Sequence, residues 1–139
     1  MCKGKPTLRG VVTGMVTPWI LAGSAFIFGG LGLIDPGPGD FSKMVNFWSG
    51  VVGFQIPMIA LTVLGACKVL CITSLYGFLG KEVRTVANLL ALAPCTGAYY
   101  MHGQWGEPIV PPIIMGSLFL GLLVMPDGPL WDSSSAKKD

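Results

Sequence analysis

One lysine of this chain sits where a charge is costly. Lys68 lies within the apolar stretch Gly50–Leu79, about ten residues from its far end, or about 15 Å of helix rise. An ammonium at such depth in a bilayer costs at least ~2.5 kcal/mol on insertion scales, so it normally faces protein or water and marks function. None of the chain's apolar stretches contains a carboxylate to pair with it. At matching depth the candidate contacts are Thr17, Thr96 and Ser117, with the thiol of Cys95 beside them. Two roles stay open for Lys68: a ligand, quinone or proton site, and a structural hydrogen-bond hub or contact with a neighbouring subunit.

The second polar constellation is His102-Gly103-Gln104-Trp105-Gly106-Glu107. One histidine and one glutamate are too few for a zinc site, which takes three or four protein ligands, so no metal site is expected. His102 could serve as the single axial ligand of a haem or chlorophyll, or hydrogen-bond a quinone headgroup. Its structural role would be to cap the last carbonyls of its own helix. There is no Ser/His/Asp set and no pair of carboxylates, so no catalytic residues are assigned and the chain reads as a non-enzyme. Phe28-Gly29-Gly30-Leu31-Gly32 lies inside an apolar stretch, which makes it packing rather than a phosphate loop. Cys67 and Cys71 share a helical face, but C-x-x-x-C is neither the redox C-x-x-C nor a zinc pattern. With Cys95 they read as small buried apolar residues, and Cys2 lies near the N-terminal basic residues.

The elements that must position these residues are written in hydropathy. The chain is 52% apolar and 12% charged, whereas about a quarter of the residues of a soluble domain are charged. Its apolar stretches are 11–34, 50–79, 86–101 and 109–125, each near the ~20 residues that cross a bilayer core. Threaded through a membrane, they put Lys3, Lys5, Arg9, Lys81, Arg84, Lys137 and Lys138 on one face and Lys43 on the other. Lys and Arg concentrate on the cytoplasmic side. The predicted fold is therefore all-α: four transmembrane helices in an antiparallel up-down-up-down bundle, with both termini on one cytoplasmic, stromal or matrix-like side. Residues 1–126 form this one domain, and 127–139 are expected to be a polar, flexible tail. Lys3, Lys5 and Arg9 resemble a signal-peptide n-region, yet the apolar run after them is too long for one, so the first span is expected to be retained.

Breakers refine the picture. Asp35-Pro36-Gly37-Pro38-Gly39-Asp40 ends the first span, and 35–46 is expected as an outer loop leading to the aromatic pair Phe47-Trp48. Gly80-Lys81-Glu82 reads as a short inner loop, and 103–108 as the second outer loop. Pro18 should kink the first helix, Pro94 should interrupt the third, and Pro111 and Pro112 suit the first turn of the fourth. The overlong second stretch should tilt, bend at Pro57 or project past the inner interface. Small residues let membrane helices approach closely, and Gly23, Gly30 and Gly65 are expected at such contacts.

A family resemblance rests on the later spans. Leu64-Gly65-Ala66-Cys67-Lys68-Val69-Leu70 resembles the second-helix L-G-x-x-E-L/V-L motif of the DoxX-like membrane proteins. Asn88–Leu92, Gly97-Ala98-Tyr99-Tyr100-Met101-His102 and Gly106-Glu107-Pro108 resemble that family's third helix, with its G-A-x-Y-x-H end and G-D/E-P turn. Lys68 stands where the family more often has Glu. The resemblance implies a four-helix membrane fold and roles in quinone-linked sulfur oxidation, anchoring of redox partners or chaperoning of membrane proteins. Two functions follow as expectations. One is an integral, multi-pass accessory, scaffold or assembly subunit that packs against a larger photosynthetic or respiratory complex and touches lipid. The other is a DoxX-like quinone-linked redox protein with Lys68 and His102 as polar contacts and a quinone or pigment bound, while Glu107 is a further candidate ligand or partner contact. The membrane would be organellar inner, thylakoid or bacterial plasma, and no nucleic acid is expected as a partner.

Overall fold

A computed structural model describes residues 5–34 and 40–132. Residues 35–39, expected as a turn, Cys2, Lys3 and the basic residues Lys137 and Lys138 lie outside the described residues. What is described is almost entirely helical: β1 (Lys5–Pro6), α1 (Leu8–Val16), α2 (Trp19–Gly30), α3 (Asp40–Val52), α4 (Ile59–Leu75), α5 (Lys81–Trp105), α6 (Val110–Val124) and β2 (Trp131–Asp132). The chain forms two compact units, Met1–Pro18 with Cys71–Asp139, and Trp19–Leu70.

The first apolar stretch starts at a capped end. Thr7 is extended, and its hydroxyl accepts the Gly10 amide at 3.1 Å, satisfying a donor that the first turn leaves open. Pro18 brings no amide, so α1 stops just before it and α2 resumes at Trp19. The carbonyl that Pro18 would have met is Gly14's, and the Thr17 amide reaches it at 3.3 Å, while the Thr17 hydroxyl donates to the Thr13 carbonyl at 2.8 Å in the last turn of α1. Together Leu8–Gly30 makes 23 residues, the one helix among the described residues both long and apolar enough to cross a membrane. Only 22% of its most apolar stretch is buried, unlike the core helix of a soluble protein. Ile59–Leu75 and Val110–Val124 are apolar but shorter.

The second stretch is two helices rather than one. Asp40–Asn46, expected within a loop, already belongs to α3. The break comes at residues 53–58, where Gly53 takes φ +80, a conformation that suits glycine. Ser49 fixes it: its hydroxyl accepts the Ile56 amide and donates to the Val45 carbonyl, both at 2.8 Å. Pro57, which cannot donate, lies in the same break. The break lets α3 fold its apolar side inward. Phe41 and Val45, one turn apart, bury with Leu61 against Ala25 and Phe26. The Phe26 and Phe41 rings meet edge to face at 5.6 Å, a favoured aromatic geometry. Gly29 lies directly under the Phe41 ring, where a Cβ would collide with it.

The other unit is built on α5. This helix begins at Lys81, so Lys81 and Glu82 are its first turn and not a loop, and it runs through Pro94 without interruption. A proline removes one amide from the ladder, and the bonds on either side carry the helix on. Gly103–Trp105, expected in the second outer loop, also belongs to it. α6 lies along α5 and α1, and Phe119, Leu122, Ala91, Ile72, Leu75 and Val16 are buried in this unit. The segment after Pro126, expected to be flexible, is held as far as Asp132. β2 pairs antiparallel with β1, Lys5 opposite Asp132 and Pro6 opposite Trp131, and the Thr7 amide donates to the Leu130 carbonyl at 3.0 Å. Gly10 makes this possible, because a Cβ there would strike the Leu130 carbonyl.

Candidate functional site

Lys68 is positioned by glycines. A Cβ built on Gly23 would stand 2.9 Å from the Gly65 carbonyl oxygen and 3.1 Å from the Lys68 Cβ. One built on Gly65 would meet the Gly23 carbonyl, and one on Gly30 would stand 2.5 Å from the Thr62 amide nitrogen. The backbones of α2 and α4 therefore touch, and the Thr62 hydroxyl donates to the Ile27 carbonyl at 3.2 Å. At this separation the Lys68 stem lies over α2. Its ammonium stands 3.8 Å from the centre of the Phe26 ring and 4.9 Å from that of Trp19, with the residue 7% exposed. Electron-rich faces attract a cation, by about 2 kcal/mol when it is desolvated. Sequence reading offered hydroxyls as partners and missed the rings, although Trp19, Phe26 and Lys68 all lie on helices that Gly23 and Gly65 bring together.

The other candidate residues lie in the unit built on α5. The Thr17 hydroxyl is 2.5 Å from the Tyr76 hydroxyl. Cys95, Thr96 and Ser117 come together with Tyr99 and Gly116 along a groove of about 330 Å³ between α5 and α6. Its walls are mainly apolar, and the Thr96 hydroxyl is turned back to the Leu92 carbonyl at 2.9 Å. Such a groove suits an acyl chain or the ring of a hydrophobic ligand more than a polar substrate.

His102 and Glu107 form a local bracket at the end of α5. Gly106 takes φ +68 and its amide donates to the Gly103 carbonyl, while the Glu107 amide donates to the His102 carbonyl at 2.9 Å. This is the paired closure of a Schellman end, which requires a left-handed residue at the glycine. It carries the Glu107 carboxylate back to the His102 ring, with Nδ1 and Oε2 2.7 Å apart. That contact leaves Nε2 as the ring nitrogen able to meet a ligand. No group of three or more His, Cys, Asp or Glu side chains that could hold a metal occurs among the described residues.

Sequence reading also missed a charged cluster, because it took the basic residues as topology determinants and lipid-headgroup contacts and gave them no acidic partner. Asp127 gathers Arg9 (3.6 Å), Lys81 (2.9 Å) and Arg84. Arg9 is 7% exposed and its Nη1 also donates to the Met125 and Pro126 carbonyls at 3.3 and 3.2 Å, closing the end of α6. The hydrogen bond from Lys81, with the charges of Arg84, Lys81 and Arg9, holds the Asp127 carboxyl below its usual range. The signal was present: these cations flank different spans on one predicted side, and Asp127 is the first acid after the last span. One turn along the same helices, Thr13 and Asn88 are buried, and the Thr13 Oγ1 and Asn88 Oδ1 atoms have no hydrogen-bond partner.

Comparison with protein-family models, with curated proteins and with solved structures finds no match to this chain.

Proposed function

We propose that this chain is a small integral-membrane accessory or scaffold subunit that crosses the bilayer four times and packs against a larger membrane complex. In this reading Leu8–Gly30, α4, α5 and α6 cross, and α3 lies as an amphipathic helix at the far interface. The observation that carries it is the outward apolar surface. Leu21, Val63, Leu70, Leu89, Leu90, Ile114, Leu120 and Val124 are exposed on the four proposed crossings, far more than a soluble monomer leaves in water. Lipid covers part of such a surface, and a partner's helices can cover the rest.

The crossing number draws support from the Asp127 cluster and the β1–β2 pair. Strands that hydrogen-bond to each other lie on one side of a membrane, so the number of crossings between β1 and β2 is even. Arg84 and Lys81 bring the start of α5 to that same side. If Leu8–Gly30 crosses outward, α4 returns, α5 goes out and α6 returns.

The test is extraction. Membranes washed at alkaline pH should retain the chain, and solubilisation in mild detergent should release it within an assembly much larger than itself. A chain that elutes alone, with one quinone or chromophore bound, would instead favour the DoxX-like redox reading. That reading has its own support in the groove of Cys95, Thr96, Tyr99 and Ser117, which has the size and lining for a hydrophobic ring.

A further inference from the structure

We propose that Arg9, Lys81 and Arg84, gathered around Asp127, bind a phosphate-bearing anion, and that the headgroup of an anionic phospholipid is the source their position favours. The lipid source rests on the membrane reading above; the anion site does not.

The charge balance is the first ground. Three cations converge on one carboxylate, and Glu82, in the same turn as Lys81, leaves the group still net positive. Geometry is the second. The arginines address Asp127 Oδ1 and Lys81 addresses Oδ2, so both oxygens are engaged and the carboxylate orients the cations without neutralising them all. Each guanidinium has five N–H donors in a planar fork. The described contacts use Nη1 of Arg9 and Nη2 of Arg84. The remaining N–H groups of each fork have the planar geometry that suits phosphate oxygens.

Access is the third ground. Arg9 is held still by two carbonyls, whereas the Lys81 side chain is 70% exposed and can swing onto an incoming anion. Arg9 and Asp127 also face a cavity of about 250 Å³ shared with Thr7, Leu8 and Pro126, which Lys81 and Arg84 do not line. Leu8, Val83 and Val124, one or a few residues from the charged groups, are exposed and apolar. A cationic socket bordered by exposed aliphatic side chains is the complement of a molecule with an anionic head and an acyl tail.

The experiment uses the full chain in a neutral detergent, with three probes: dioctanoyl phosphatidylglycerol, dioctanoyl phosphatidylcholine and inorganic phosphate. Native mass spectrometry counts adducts, and thermal unfolding reports both folding and binding. Phosphatidylglycerol should add one retained adduct and raise the unfolding midpoint where phosphatidylcholine does neither. The double variant Lys81→Gln/Arg84→Gln should weaken that binding by about tenfold or more, from the loss of two charge-assisted contacts. Should the double variant fail to fold, Lys81→Gln alone, at an exposed position, must still weaken it. Inorganic phosphate that competes would support the same site with a free anion as its source. Equal binding of the two lipids with no effect of phosphate, or variants that bind like the wild type, would overturn the site. Release of the chain from membranes by alkaline washing would overturn the membrane reading alone, and the phosphate arm would still decide the site.

Discussion

Lys68 lies where Gly23 and Gly65 bring two helices together, with its ammonium over the Phe26 and Trp19 rings. Its depth was legible in the sequence; its partners were not, because which side chains face a lysine depends on how closely two helices approach. Lys68→Met keeps the stem and removes the charge, so lost ring contact and relieved burial oppose each other. The expected change in stability is within about 1 kcal/mol by thermal unfolding in detergent, and a loss above about 3 kcal/mol would mean a buried partner of opposite charge. Thr13→Val should stabilise the fold by about 1 kcal/mol, since it removes a buried hydroxyl with no partner and keeps its shape. A lower unfolding midpoint would mean that the hydroxyl has a partner after all. Asp127 supplies a pH dependence with a definite sign. Its carboxyl is held below the value of a free aspartate, so its contribution is fully present above the unfolded pKa and is lost as the pH falls through the lower, folded one. The unfolding midpoint of the wild type should drop through this acid range more than that of Asp127→Asn, and parallel curves would exclude the linkage.

At the scale of elements, apolar runs were legible and their interruptions only in part, for Pro18 and Pro57 fall at breaks between helices and Pro94 does not. Two prolines show why. Pro18 brings no amide to the Gly14 carbonyl, the Thr17 amide turns to it instead, and α1 ends there. Pro94 lies in the interior of a 25-residue helix and is carried along by its neighbours. Residues 50–79 read as one stretch of uniform composition that would tilt, bend at Pro57 or project past the interface, and the break does include Pro57. The break depends on a serine hydroxyl that captures an amide seven residues on, which hydropathy does not register. Where α2 and α4 touch, the contact is backbone to backbone. Gly30→Leu must push Thr62 away, so it should cost at least the 1–3 kcal/mol typical of overpacking, about the upper end of that range. Folded yield after detergent extraction reads this directly, and a yield equal to the wild type would place that face of α2 against lipid. Ser49→Ala should loosen the α3–α4 break by about 1 kcal/mol, through the orphaned Ile56 amide.

At the scale of the whole molecule, hydropathy and charge pointed to membrane helices, and the pairing of the ends came only with the structure. Two-residue strands carry almost no sequence signal, and the tail after Pro126 reads as polar chain until Gly10 and Thr7 are seen to receive it. The same pairing ties the number of crossings to an even value if Leu8–Gly30 crosses. The exposed apolar faces of α4, α5 and α6 then meet lipid or a partner rather than water. Topology is thus the most direct test. Single cysteines at Lys5→Cys, Glu82→Cys, Glu107→Cys and Asp132→Cys, in a chain otherwise free of cysteine, can be labelled in sealed vesicles with an impermeant thiol reagent. Four crossings predict that positions 5, 82 and 132 react from one side and position 107 from the other. Reaction of positions 5 and 107 from the same side would contradict four crossings.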